Sequence, residues 1–77
     1  MKIIDYCAIF FCLFKWSFRG YCAIDEAKDA RERQQGYNLA HLFYNALKED
    51  YPQHEAFINR LWYGCFESVL SKTMAAE

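Results

Sequence analysis

The chain has 77 residues, a net charge of −1 and four cysteines. A chain this short supports one small core with only a few kcal/mol of net stability, so its 77 residues are expected to make one domain. Near-neutral charge with no basic run argues against direct nucleic-acid binding, which calls for a cationic face.

Residue types set the fold class. Phe, Tyr and Trp number seven, six and two, whereas Val and Thr occur once each. Strands draw on β-branched residues, and these are scarce. Good helix formers are plentiful and Pro52 is the only proline. The expected fold is all-α in a single domain spanning 1–77, with three helices: an aromatic-rich N-terminal helix followed by an antiparallel helical hairpin.

The first helix is predicted over about residues 3–19. It contains the run YCAIFFCLF at 6–14. Projected at about 100° per residue, Asp5, Ala8, Cys12, Lys15 and Arg19 share one small or polar side. Ile3, Tyr6, Ile9, Phe10, Leu13, Phe14, Trp16 and Phe18 form the opposite face, which is expected to pack on the core. Gly20 is read as the stop, with Tyr21 folding back onto Trp16. A membrane span needs about 20 apolar residues, and Asp5 and Lys15 bound this run. A packed helix is therefore the leading reading, and attachment of the first helix to a membrane is the alternative.

The second helix is predicted over about 25–49, with Asp25 as its N-cap and Glu26 in its first turn. The stretch to Gln35 is charged and projects into solvent or packs loosely. From Gly36 onward, Leu39, Ala40, Phe43, Ala46 and Leu47 line one face. Asp50-Tyr51-Pro52 is a break, because the residue before proline is pushed out of the helical region. The third helix is predicted over about 52–72, with Phe57, Ile58, Leu61, Trp62, Cys65, Phe66 and Val69 facing inward. GYNLAHLF at 36–43 and GCFESVLS at 64–71 share a faint symmetry. Their mid-helix glycines each cost roughly 1 kcal/mol relative to alanine, so close backbone approach is expected at both.

Nothing in the chain encodes a reaction. Cys7, Cys12, Cys22 and Cys65 match no metal or redox spacing and are read as reduced, buried thiols in a cytoplasmic protein. A bridge between Cys22 and Cys65 stays open. His41 and His54 are read as solvated. No phosphate loop, GxSxG or HExxH occurs, so no catalytic, metal-binding or cofactor-binding residue is assigned and the chain is read as a non-enzyme.

The remaining signal is aromatic. Two amphipathic helices and a second helix with a narrow stripe do not cover all the rings, and Trp16, Tyr37, Tyr44, Tyr51, Tyr63 and Phe66 fall at the stripe margins. Tyr and Trp are enriched in interface hot spots, so these six are the candidate protein-binding residues, and a homo-oligomer is expected.

Gly36-Tyr37-x-x-Ala40 followed by Trp62-Tyr63-Gly64-x-Phe66 resembles what occurs in small helical accessory proteins of bacteriophages, a class that includes anti-CRISPR and other host-takeover proteins. The resemblance covers about half the chain. It implies a protein of the host cytosol that binds a host enzyme or defence complex and blocks it. Many such proteins carry acidic faces that mimic nucleic acid, and this chain has none.

Overall fold

The computed structural model describes residues 3–75, and all its regular structure is helical. α1 runs Ile3–Glu26 and α2 runs Ala30–Asp50. A third helix follows in pieces: a 3₁₀ turn at Pro52–His54, α3 at Glu55–Leu61, a π-helical turn at Trp62–Phe66, and α4 at Glu67–Ala75.

α1 does not stop at Gly20. No glycine among the described residues has positive φ, so the left-handed cap expected there does not form, and Tyr21 continues the helix. The reason lies across the interface with α2. A methyl group added to Gly20 would lie 2.8 Å from the Gly36 carbonyl oxygen. Gly20 is thus a crossing point where two backbones touch. Beside it, Trp16 stacks on Phe43 at 3.9 Å between centroids, with planes 3° apart.

The extended α1 also displaces the start of α2. Asp25 and Glu26 end α1, and the N-cap is Asp29, whose Oδ1 accepts from the Glu32 N–H at 2.9 Å. Glu32 reciprocates by accepting from the Lys28 N–H at 3.0 Å, a close relative of the capping box. At the other end, α2 closes at the expected break. The Tyr51 N–H donates to the Leu47 carbonyl at 2.8 Å, and Pro52 opens the 3₁₀ turn.

The core comprises Ile9, Leu13, Ile24, Ala40, Tyr44, Leu47, Ile58, Trp62 and Leu70. Three of the third helix's inward residues, Ile58, Trp62 and Leu70, fall with half-buried Phe66 at steps of four. In a regular α-helix each such step drifts roughly 40° off the face. The π turn absorbs this drift with one extra residue, its Glu67 N–H bonding back to the Trp62 carbonyl. Register beyond it shifts by one relative to the predicted stripe. Cys65 and Val69 turn outward, and Leu70 takes the inward place. Gly64, on the same turn, has nothing within 4 Å of an added methyl group, so the close approach expected there does not occur.

Candidate protein-binding face

The six sequence-predicted residues do not form one surface. Tyr44 is 2% exposed and stacks on Trp62 at 4.9 Å. Its hydroxyl donates to the Asn59 side chain. Tyr44 is therefore a core residue, which corrects its assignment to a binding face. Trp16 is half-buried under Lys15 and Arg19, whose charges lie 5.3 and 5.1 Å from its ring. Half-buried Tyr37 donates its hydroxyl to Glu67 at 3.3 Å. Burial, and then the Glu67 carboxylate, push that phenol up from its ordinary range. Tyr51 is half-buried beside His54. Tyr63 is exposed on its own helix, and Phe66 is half-buried against Phe10 and Phe14.

The exposed rings belong instead to α1. Its buried line is Ile9, Leu13, Ser17, Gly20 and Ile24, rotated by roughly 40° from the expected face when each residue is set at 100°. Within that line Gly20 permits close approach, and α2 crosses there with Gly36 and Ala40 against it. That packing leaves Phe10, Phe11, Phe14, Phe18 and Tyr21 exposed at 40, 68, 51, 59 and 39%. Ile4, Cys7, Phe11, Phe14, Phe18 and Tyr21 follow one another at steps of 3, 4, 3, 4 and 3, and all six are exposed. No charged side chain interrupts this seam, and the next position in its register is Asp25.

A groove runs along the seam's C-terminal half. About 420 Å³ in volume, it is lined by Phe14, Ser17, Phe18 and Tyr21 of α1 with Cys65, Phe66, Val69 and Leu70 of the third helix. The outward turn of Cys65 and Val69 at the π turn creates its far wall.

Chemical groups elsewhere are sparse. All four cysteines are free, so Cys22 and Cys65 are not bridged, and Cys7 and Cys65 are exposed, contrary to the expectation of buried thiols. Among the described residues, no three His, Cys, Asp or Glu side chains gather to hold a metal ion. His54 lies in a half-buried cluster, its Nε2 3.6 Å from Asp5 and its ring 4.7 Å from Tyr6. His41 is half-buried edge-on to Trp62. Neither histidine is freely solvated.

No family model, curated protein or solved structure matches the chain.

The seam was detectable in the sequence. Its 3-4 spacing is complete from Ile4 to Tyr21, but the helix was expected to end before Tyr21. The polar stripe expected opposite the core lies to one side of it.

Proposed function

We propose that the chain is a non-enzymatic helical module that grips another protein with the outer face of α1. In this reading α2 and the third helix form an antiparallel hairpin, onto which α1 is laid. Tyr44 near α2's end reaches Asn59, while the earlier Tyr37 reaches the later Glu67, and this crossing order supports the hairpin.

One observation carries the function: an uncharged seam of six exposed residues running beside an apolar groove. Isolated exposed apolar side chains are ordinary, but contiguous patches of several hundred Å² mark interaction sites. Aromatic residues with charge excluded from the centre are the composition of interface cores. The resemblance to phage accessory proteins supports a host enzyme or defence complex as a further target of the module, which it would obstruct sterically.

Affinity capture with the tagged chain tests this reading. The wild type retains a protein partner, and Phe11→Asp combined with Phe18→Asp reduces retention at least tenfold with helicity unchanged. Capture that is indifferent to these substitutions overturns it.

A second reading has its own support. α1 is long and apolar enough to cross a membrane. Its exposed aromatic arc is also what a helix lying in the lipid interface presents. Charge weighs against it: α1 carries Lys15 and Arg19 against Asp5, Asp25 and Glu26, leaving no excess of cations to draw it to anionic lipid.

A further inference from the structure

We infer that the partner seated on this face is a second copy of the chain, with the two α1 helices antiparallel about a two-fold axis between Phe11 and Phe14. The inference rests on α1's outer face being protein-binding, and it names the occupant.

Spacing is the first argument. Steps of 3, 4, 3, 4 and 3 alternate as they do in a heptad, whose 3.5-residue period keeps a seam facing a partner helix as the two wrap. A lipid surface imposes no such period, since any broad apolar arc satisfies it.

Shape is the second. A two-fold interface must be complementary to itself. In α1 the N-terminal half of the seam is a bare ridge of Ile4, Cys7 and Phe11, flanked by exposed Ile3. The C-terminal half borders the groove walled by Phe66 and Val69. Antiparallel pairing sets Ile4 against the second copy's Tyr21, Cys7 against its Phe18, and Phe11 against its Phe14. Each ridge then fills the other copy's groove, twice over. Parallel pairing would set groove against groove and leave both open.

Area is the third. At about 200 Å² per ring, the exposures of Phe10, Phe11, Phe14, Phe18 and Tyr21 leave roughly 500 Å² of aromatic surface. Ile3, Ile4 and Val69, at 78, 74 and 49% exposed, add to it. The total approaches the roughly 800 Å² per partner of a stable interface.

Sedimentation equilibrium of the full chain without detergent is the experiment. The expected mass is twice 9.2 kDa at micromolar concentration. Phe14→Asp should raise the dissociation constant at least tenfold. Phe11→Asp, on a ring that touches only Phe10 among the aromatics, should do the same without disturbing the fold. Orientation is read by mild oxidation in a Cys65→Ser background, at a concentration where sedimentation shows that variant to be a dimer. Antiparallel pairing holds the two Cys7 residues roughly 16 Å apart along the axis, and no disulfide-linked dimer should form. A Cys7–Cys7 disulfide overturns the orientation. A dimer untouched by both aspartates, or a vesicle-bound chain, overturns the pairing. A monomer that still captures a partner through Phe11 and Phe18 overturns the pairing and leaves the protein-binding reading intact, whereas a monomer silent in capture overturns both.

Discussion

A methyl group at Gly20 would meet the Gly36 carbonyl oxygen at 2.8 Å and the Ala40 Cβ at 3.2 Å, while one at Gly64 would meet nothing within 4 Å. The same substitution at these two sites should therefore have opposite signs. Alanine at either position gains roughly 0.5–1 kcal/mol from reduced unfolded-state entropy and better helix propensity. At Gly20 that gain is outweighed, because a backbone carbonyl cannot rotate away and overpacking costs about 1–3 kcal/mol. Gly20→Ala should lower the melting temperature, and Gly64→Ala should raise it by roughly 2–8 °C, given about 4–8 °C per kcal/mol in a domain of this size. Thermal denaturation followed by circular dichroism checks both. Equal stabilisation by the two would mean that the backbones do not touch. The mid-helix position of Gly36 signals a close neighbour, whereas Gly20 carries the signature of a helix end. A glycine before an aromatic residue looks the same whether it ends a helix or lets another helix approach, and only the opposing surface distinguishes them.

Cap and register explain why the helices were legible in number and less so in extent. Three helices and the break at Pro52 follow from local signals that need no tertiary partner. The boundary between α1 and α2 does not, because Asp25 and Asp29 are equivalent candidates by residue type. Continuation of α1 through Gly20 decides for Asp29. The consequence is checkable: Asp29→Ala should destabilise the fold by about 1 kcal/mol, measured by chemical denaturation, and Asp25→Ala should change little. The reverse order would restore the shorter α1. The π turn was illegible for a different reason. Ile58, Trp62, Phe66 and Leu70 at steps of four can be read as a drifting α-helical face or as one face held straight by an inserted residue. The straight face is chosen because Trp62 must stack on Tyr44 at 4.9 Å while Leu70 stays 1% exposed. The candidate site depended on this choice, since Cys65 and Val69 become groove walls only when the register shifts.

Across its 43 × 18 × 15 Å extent, the molecule keeps more aromatic residues than its core can enclose, and where it places the surplus determines how it meets lipid. As a membrane span, α1 would carry Lys15 and Arg19 into hydrocarbon, at about 2.5–3.5 kcal/mol each near the centre. It would also surrender the Gly20–Gly36 contact and withdraw Ile9, Leu13 and Ile24 from the core. A protein this small, with only a few kcal/mol of net stability, does not survive that exchange as the same fold. A surface-lying helix avoids these losses and is the serious rival, so the decisive measurement must separate lipid from protein as the cover for Phe11, Phe14 and Phe18. Co-sedimentation with neutral and with anionic vesicles does so. The chain should remain in the supernatant with both, and its tryptophan emission should not shift, because Trp16 is already sandwiched against Phe43 at 3.9 Å and Trp62 is 1% exposed. Raising salt should change nothing, since α1 offers no net positive charge to screen. Pelleting with anionic vesicles that salt reverses would show that α1's outer face is built for a bilayer, and the aromatic seam would then be an anchor.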